Sequence, residues 1–573
     1  MEREAFLHLL AVARGDTPAD LVLRNGQVLN VFTGELEEVD VALAGAHVAG
    51  LGDYEGLEIL DLAGQVVVPG LIDTHVHIES SMVSPPQFAR AVLPRGTTTV
   101  ITDPHEIANV AGAEGIRYMI AASEGLGLTV FVNLPSSVPA THMATAGAAL
   151  DAADLVELQD LPRVLGLAEF MNVPGAVLGF PDAVDKLLAF QGKHIDGHAP
   201  EVGGRWLQAY AAAGPSTDHE STTAEEAAAK VRAGIYVLVR EATSAKNLRA
   251  LLPLITPGNA RRFAFATDDR HPSDLLDEGH LDHLVRLAVE AGLSPVTALR
   301  MATLNAAEVF GLRDRGAVAP GRRADLVVTP SLEAFEAALV ISGGEVVARE
   351  GRLVGERALP HPDESGVRGS VNVDLDALSF RIPVAGARVR VIGVIPDQIV
   401  TEERILEPRV EGGEVRADPE RDLLKLAVVE RHRGTGNVGL GFVQGLGLKR
   451  GAIAGSVGHD AHNVTVAGVD DDDMRAAVRA VKELGGGLVA VLGGEVLGSV
   501  PLPIGGLMSD RPIEEVRVQM DRLLKAVREL GSPLHDPFMQ LGFLALEVIP
   551  KLKLTDQGLV DVEAFDFVPL WVA

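Results

Sequence analysis

The chain has 573 residues, of which 47% are hydrophobic and 23% charged, a globular composition long enough for three or four domains. It contains no cysteine, which excludes disulfides, thiolate metal ligands, a cysteine nucleophile and the zinc nucleobase deaminases that need a cysteine pair. The formal net charge of −29 argues against a nucleic-acid partner, because an acidic surface repels phosphate backbones. The charge favours a small neutral or cationic substrate over a nucleic acid. It is equally consistent with acidic residues that only keep the protein soluble.

The first predicted element is an amphipathic helix within MEREAFLHLLAVARGD, which mixes acidic and basic residues and lacks the layout of a signal peptide. No run of eighteen apolar residues occurs in the sequence, so neither a transmembrane helix nor a membrane partner is expected. We therefore expect a cytoplasmic enzyme.

Short apolar runs around an Asn25-Gly26 turn predict a small antiparallel sheet after this helix. The segment from Gly316 to Val354 has the same pattern of short apolar runs separated by turns. The two pieces are predicted to form one composite β-sandwich domain, residues 1–65 plus 312–360, which is split by an insertion.

Within the insertion, strand patterns alternate with helix patterns such as TTAEEAAAKVRAG. Eight candidate strands occur, in the order VVVPGLIDTHVH, GTTTVITDPHE, LTVFVNLPS, RVLGLAEF, HIDGHAP, TDHES, GIYVLVRE and RRFAFATDD. Eight such units over about 240 residues predict an α/β fold, a (β/α)8 TIM-like barrel at residues 66–311. A linker at 356–366 then leads to a separate C-terminal α/β domain, residues 367–573, with a predicted helix in DDDMRAAVRAVKELGGG.

Residues able to bind a metal stand at the predicted ends of five of these strands. They are His75 and His77 on the first strand, Glu169 on the fourth, His198 on the fifth, His219 on the sixth and Asp268 on the eighth. The C-terminal strand ends of such a barrel form the active-site face, so these side chains are expected to converge. A lone His-x-His pair or strand-end carboxylate is weak evidence, but the complete set predicts a metal site.

Four histidines and two carboxylates without thiolates suit Mn, Fe or Zn. Two metal ions that share a bridging carboxylate would use all six residues. Such a centre lowers the pKa of a bound water and supplies hydroxide near pH 7. In this scheme Glu169 bridges the metals and Asp268 takes the proton of the water.

Other polar residues near predicted strand ends are candidates for binding the substrate: Glu79, His105, Glu106, Glu220, Arg240 and Glu241. His105 and Glu106 have three alternative interpretations. They contact the substrate, they act as auxiliary metal ligands, or they only start a helix, with polar groups that cap backbone amides. Arg240 and Glu241 bind the substrate or pair with each other.

Histidines outside the strand-end set have several interpretations. In the C-terminal region, His459, Asp460 and His462 bind a metal, line a lid over the barrel, or form a structural turn. His194 is predicted to be a packed or surface residue. His271 is ambiguous, and it follows Asp268 closely enough in sequence to support it from behind.

The motifs PGLIDTHVH and PGRRADLVV, with the separate strand-end His, His and Asp, resemble the amidohydrolase superfamily. Within it the sequence is most similar to the adenine deaminase family. The stretches that carry this resemblance are PGLIDTHVHIESSM, TDPHEIANVAG, GLAEFMNVPG, DGHAP, TDHE, ATDDRHPSDLLDEGHLD, GSVGHDAHNV, LPIGGLMSD and PFMQLGFLALEVIPKLKLTD.

The resemblance implies hydrolysis of adenine to hypoxanthine and ammonia, in purine salvage, by hydroxide that attacks C6 at a two-metal centre. Manganese is the expected metal, with iron or zinc as alternatives, and a homodimer is expected by family analogy. The implied catalytic residues are Asp268, Glu169 and Glu241, and Asp268 can pass its proton to the leaving amine. The acid for the ring nitrogen stays open among Glu79, Glu106, Glu220 and Glu241.

Two details of the sequence bear on this assignment. The fourth strand has no lysine to be carboxylated, which favours the adenine deaminase branch over the hydantoinase branch. Ala242 and Thr243 replace the family's Gly-Ser after Arg240-Glu241, which puts the substrate contacts there in doubt. The alternatives are a cyclic amidohydrolase of the hydantoinase or dihydroorotase kind, which leaves the C-terminal motifs unexplained, and a non-enzymatic binding protein, which would usually have lost metal ligands.

Overall fold

The computed structural model describes residues 1–355, 359–396 and 398–572. The first three residues of the predicted linker at 356–366 lie outside the described residues. Among the described helices, none is long and apolar enough to cross a membrane.

The two predicted β pieces come together in one seven-stranded sheet. Val66–Pro69 pairs antiparallel with Leu326–Thr329 from the second piece, and parallel with Gln27–Leu29 from the first. The strands of this sheet are Gln27–Leu29, Leu36–Glu38, Val66–Pro69, Leu326–Thr329, Leu339–Ser342, Glu345–Arg349 and Arg352–Leu353. A four-stranded sheet packs against it and consists of Ala19–Arg24, Val41–Ala44, His47–Leu51 and Gly56–Asp61. Most pairings in the two sheets are antiparallel, as predicted, and each sheet also contains one parallel pair.

The segment from Val66 to His77, predicted as one barrel strand, divides at Gly70. Its first half belongs to the seven-stranded sheet and its second half begins the barrel. The chain packs so closely at Gly70 that a Cβ atom there would lie 2.2 Å from Thr98 Oγ1. The β region therefore extends beyond the predicted boundary at residue 65, because a continuous apolar run does not reveal which sheet each half joins.

Eight parallel strands follow one another between residues 71 and 266. They are β1 (Leu71–Val76), β2 (Thr97–Thr102), β3 (Thr129–Leu134), β4 (Val164–Phe170), β5 (His194–Gly197), β6 (Thr217–Asp218), β7 (Tyr236–Arg240) and β8 (Phe263–Ala266). β1 to β5 form one sheet in chain order, and β6 to β8 form a second. At the first edge between the sheets Asp268 N donates to His75 O at 3.0 Å, and at the other Ser216 N donates to Ile195 O at 2.9 Å. The parallel strands therefore curl until the end of β1 lies beside the end of β8.

Helices precede and separate these strands, as an α/β fold requires. The helix predicted in TTAEEAAAKVRAG is present as Ala224–Arg232, and the Thr223 hydroxyl accepts a hydrogen bond from Glu226 N at its start. The α-helices up to residue 309 are Arg3–Arg14, Pro85–Val92, His105–Ala122, Ala152–Leu158, Val173–Leu178, Pro181–Ala189, Gly204–Ala213, Ala224–Arg232, Leu248–Leu251, Pro272–Asp277, Leu281–Glu290, Pro295–Met301 and Leu304–Val309.

The C-terminal region is built on a nine-stranded sheet. Its strands are Arg388–Val394, Thr401–Leu406, Leu423–Val429, Val438–Gln444, Ala452–Gly455, Val464–Gly468, Gly487–Leu492, Glu495–Pro501 and Trp571–Val572. Small hairpins add Arg409–Glu411 with Glu414–Arg416, and Leu552–Leu554 with Leu559–Asp561 and Asp566–Phe567. The helices are Asp471–Glu483, Ile513–Leu530 and Pro537–Phe543. Among these described strands every pairing but one is antiparallel, which the prediction of an α/β domain did not anticipate.

This region is not packed separately from the parallel strands. One continuous hydrophobic core includes Val83 and Ile107 from the barrel side and Leu507 and Met508 from the C-terminal region. Polar contacts cross the same boundary, since Thr141 Oγ1 donates to Glu547 at 2.8 Å. The C-terminal region therefore covers the ends of the parallel strands where the candidate residues lie.

Candidate metal centre and active site

Folding brings the six strand-end residues into one buried cluster. Its members are His75, His77, Glu169, His198, His219 and Asp268. The two β1 imidazoles face each other, with Nε2 of His75 3.1 Å from Nε2 of His77. Residues two apart on a strand point the same way, and the C-terminal ends of parallel strands meet at one face, so both relations place these side chains together.

Glu169 lies at the centre of this cluster. Its Oε1 is 3.3 Å from His77 Nε2, while its Oε2 is 2.6 Å from His198 Nδ1 and 3.2 Å from His219 Nε2. Burial by itself would raise the pKa of this carboxyl, but His198 and the other imidazoles hold it well below its usual range. One carboxylate thus faces His75 and His77 with one oxygen, and His198 and His219 with the other.

Asp268 follows β8 in a left-handed backbone conformation, with φ at 56°. That conformation is uncommon for a residue other than glycine, and it is held here by the hydrogen bond from Asp268 N to His75 O. Its Oδ1 lies 3.2 Å from His77 Nε2, and its Oδ2 accepts a hydrogen bond from Arg240 Nη1 at 2.8 Å. Burial would raise the pKa of Asp268, but the Arg240 guanidinium holds it well below its usual range.

The β1 histidines are oriented from behind by groups that the sequence analysis did not single out. His75 Nδ1 lies 2.9 Å from Asp196 Oδ2, and His77 Nδ1 lies 3.0 Å from the carbonyl oxygen of Asp103. Such partners fix the ring so that Nε2 faces the ligand. The available signal for His75 was an aspartate inside a predicted strand motif, Asp196 in HIDGHAP, whereas the backbone carbonyl of Asp103 leaves no signal in the sequence.

The donor atoms suit a divalent metal. Two groups of three, His75 with His77 and Asp268, and Glu169 with His198 and His219, each place one donor atom per residue within 4.8 Å of the others. Nε2 of His198 and Nδ1 of His219 are buried without a hydrogen-bond partner among the described residues. Imidazole nitrogens that converge with carboxylates at hydrogen-bond distance, away from water, are the donor set that first-row transition metals prefer.

The other strand-end candidates lie around this centre in different ways. His105 has its Nδ1 3.4 Å from Glu169 Oε1, while Glu106 turns toward His459 and His462 of the C-terminal region. The helix that follows β2 begins at His105, yet neither of these side chains caps a backbone amide there. A helix therefore starts there as predicted, but the expected capping of backbone amides was wrong, and contact with the substrate or an auxiliary metal stays a prediction.

Arg240 pairs with Glu220 rather than with its neighbour Glu241. Arg240 Nη2 donates to Glu220 Oε2 at 2.9 Å, and Glu220 Oε1 lies 3.5 Å from His219 Nε2. Glu241 accepts a hydrogen bond from Leu248 N at 3.2 Å and is not among the described residues that line the cavity. Successive residues at a strand end point to opposite sides, so only one of the two faces the site.

Three further residues from the sequence analysis have the following contacts. Glu79 is buried near the cluster and accepts a hydrogen bond from Ile107 N at 3.3 Å, and burial raises its pKa to about 7. His194 is packed, as predicted, with its ring 4.2 Å from that of Phe310. His271 does not support Asp268, because it pairs with Asp536 of the C-terminal region at 2.8 Å.

The cavity beside the cluster has a second wall that the sequence analysis missed. It is apolar and comes from the C-terminal region, through Ile399, Met539, Phe543, Leu546 and Ile549. Four of these residues lie in the motif PFMQLGFLALEVIP, whose helix Pro537–Phe543 is buried on every side. A helix without a polar face was the available signal, since it must be covered by more than one neighbour.

An α/β fold with a buried histidine and carboxylate cluster at its strand ends is typical of the metal-dependent hydrolases of the amidohydrolase family, whose profile matches residues 66–347. The profile of the adenine deaminase C-terminal domain matches residues 398–566.

Relatives extend this similarity over almost the whole chain. "Adenine deaminase" of Desulfatibacillum aliphaticivorans is 52% identical, covering 98% of this chain and 99% of its own length. "Adenine deaminase 2" of Carboxydothermus hydrogenoformans is 51% identical, covering 98% and 99%. "Adenine deaminase" of Cereibacter sphaeroides is 49% identical, covering 99% and 100%. The chain belongs to the adenine deaminase family.

Proposed function

We propose that the protein hydrolyses adenine to hypoxanthine and ammonia. The observation that carries this proposal is the juxtaposition of a buried histidine and carboxylate cluster with the apolar wall that includes Phe543. The first can hold the metal that activates water, and the second offers a flat aromatic surface of the kind that a purine ring packs against. The relatives named adenine deaminase, about half identical over nearly the full length, support the same substrate.

The six clustered residues would hold divalent metal, which when bound supplies hydroxide near neutral pH. Asp268 accepts the proton of the attacking water, because its carboxylate lies 3.2 Å from His77 Nε2 and is kept ionised by Arg240. The same carboxyl then returns that proton to the departing amine.

Glu220 serves the substrate as a hydrogen-bond acceptor rather than as an acid. It lines the cavity, and burial would raise its pKa, but Arg240 lowers that pKa and keeps the carboxyl ionised. An ionised carboxylate accepts hydrogen bonds from amine and ring N–H groups.

Several finer assignments belong to the same proposal. The backbone hydrogen bonds at both edges of the parallel sheets support one closed (β/α)8 barrel, flanked by the composite β domain and the C-terminal domain. Six ligands support two metal ions per chain, and the absence of thiolates is compatible with manganese, iron or zinc. Manganese as the resident metal, a homodimer, a cytoplasmic location and purine salvage rest on the family resemblance alone.

The test is ammonia release from adenine by the purified protein reconstituted with manganese, with adenosine, hydantoin and dihydroorotate as parallel substrates. Release from adenine alone is expected. Turnover of hydantoin or dihydroorotate, with adenine untouched, would replace the proposal by a cyclic amidohydrolase. A protein that binds no metal after reconstitution would favour a non-enzymatic binding role.

A further inference from the structure

A second group of ionisable side chains joins the barrel to the C-terminal region beside the cavity. Glu106, at the start of the helix after β2, lies between His459 and His462 of the C-terminal region. His459 Nδ1 is 2.7 Å from Glu106 Oε1, and His462 Nε2 forms a hydrogen bond with Glu106 Oε2. All three side chains are buried, so these contacts are not weakened by solvent.

The hydrogen bonds define which nitrogen of each ring carries a proton. His462 Nδ1 accepts from Gly458 N at 3.3 Å, so its Nε2 carries the proton donated to Glu106. His459 donates to Glu106 from Nδ1, and its Nε2 has no partner among the described residues, although the ring lines the cavity. A carboxylate that holds one imidazole nitrogen in this way orients the other nitrogen toward a ligand.

The plane of the His459 ring is fixed as well. The ring stacks on Phe543 with centroids 4.6 Å apart and an interplanar angle of 13°. Phe543 lines the same cavity, and the imidazole covers part of its ring. A flat heteroaromatic ligand would pack against the remaining surface of Phe543 while a ring nitrogen meets the imidazole edge.

On these contacts, and resting on the proposed function, we propose that His459 is a substrate-binding residue that donates a hydrogen bond from Nε2 to a ring nitrogen of adenine. Glu106 is the positioning residue that fixes the His459 ring, and His462 holds Glu106 in place. The C-terminal region would then take part directly in purine recognition.

The charges around His459 agree with a donor role. Burial by itself would lower the pKa of His459, but Glu106 outweighs it, with help from Asp269 and Asp460, and raises the pKa to about 9. His462 donates to the same carboxylate. A protonated His459 donates from both ring nitrogens, and the unsubstituted ring nitrogens of neutral adenine are acceptors.

The experiment compares two substitutions at one position. His459→Asn keeps an amide N–H near the position of Nδ1 and has nothing at Nε2, whereas His459→Gln places an amide near Nε2. The affinities of adenine, 3-deazaadenine and 7-deazaadenine are measured on the manganese-loaded protein as KM or as inhibition constants. His142→Asn, at an exposed histidine, is the matched control.

We expect H459N to bind adenine about tenfold to a hundredfold more weakly, the range for one hydrogen bond to a charged group, and H459Q to recover part of that loss. One deaza analogue should lack the ring nitrogen that His459 binds. The wild type should bind this analogue as weakly as H459N binds adenine. H459N should not bind the analogue more weakly than it binds adenine. If H459N does not fold, Glu106→Gln is measured instead, and it should reduce the difference in affinity between adenine and that analogue.

Several outcomes would overturn the inference. Equal losses of adenine affinity in H459N and H459Q would assign His459 a structural role. The same would follow if H459N discriminated between adenine and both analogues as the wild type does. A third metal ion per chain that disappears in H459N would make the cluster a metal site. Failure of the wild type to deaminate adenine or bind any purine would defeat the proposed function too, whereas active wild type with an unaffected H459N would defeat this inference alone.

Discussion

The two walls of the cavity are built in different ways. The barrel wall consists of charged side chains at strand ends, held together by contacts such as the 2.6 Å pair of Glu169 and His198. The opposite wall, from the C-terminal region, consists mostly of apolar side chains such as Phe543 and Met539, together with the His459 imidazole and the Asp460 carboxyl. On the proposed function, we expect the barrel wall to perform the chemistry, with Glu220 also binding the substrate, and the C-terminal wall to help select the substrate and exclude water. Substitutions in the first wall should therefore reduce kcat or metal affinity, and substitutions in the second should raise KM.

The largest effect is expected for Asp268→Asn in the barrel wall. The amide cannot accept the proton of the water, so kcat for adenine should fall about a thousandfold. Ammonia release at saturating adenine measures this, with the exposed Asp53→Asn as the control. Retention of more than a tenth of the wild-type rate would mean that another group accepts the proton.

A smaller effect is expected when the support behind a ligand is removed. Asp196→Asn replaces the carboxylate that lies 2.9 Å from His75 Nδ1, so metal affinity should weaken about tenfold to a hundredfold. Competition with a chelator, using manganese, measures the change, and the exposed Asp185→Asn is compared in parallel. Unchanged affinity would show that His75 is not a ligand or needs no orienting partner.

The C-terminal wall should respond differently. Phe543→Ala removes an aromatic face from the cavity, so KM for adenine should rise about tenfold while kcat changes much less. Steady-state kinetics separate the two constants, with the exposed Phe180→Ala as the control. A fall in kcat at constant KM would contradict the division between the two walls.

The last effect is on stability rather than on activity, at the contact between the two regions. Burial raises the pKa of Glu547 to about 7, from a usual value near 4.5. The folded protein therefore binds this proton more tightly, and the contribution to stability, present below about pH 4.5, is lost as the pH rises through 7. The full loss is at most about 3 kcal/mol.

Glu547→Gln should accordingly show a smaller fall in melting temperature between pH 5 and pH 8 than the wild type. The exposed Glu529→Gln provides the comparison, because it removes the same charge from the surface. Identical pH dependence in wild type and E547Q would show that Glu547 is ionised in the folded protein.

The order of amino acids was sufficient to place helices, parallel strands and the six clustered side chains. Alternation of strand and helix patterns has a local cause, and the strand-end rule then brings His75, Glu169 and Asp268 to one face without further information. The division at Gly70 was missed, because both halves of that apolar run are buried and differ only in the sheet that they join.

Contacts between distant parts of the chain required the folded structure. The pairing of Arg240 with Glu220 instead of Glu241, and the approach of His459 to Glu106 across 353 positions, depend on how strands and regions pack and not on any local pattern. The same holds for the apolar wall around Phe543, whose sequence is that of an ordinary buried helix. Local propensity and periodicity act over a few residues, whereas the shape of the cavity arises from packing between segments hundreds of residues apart.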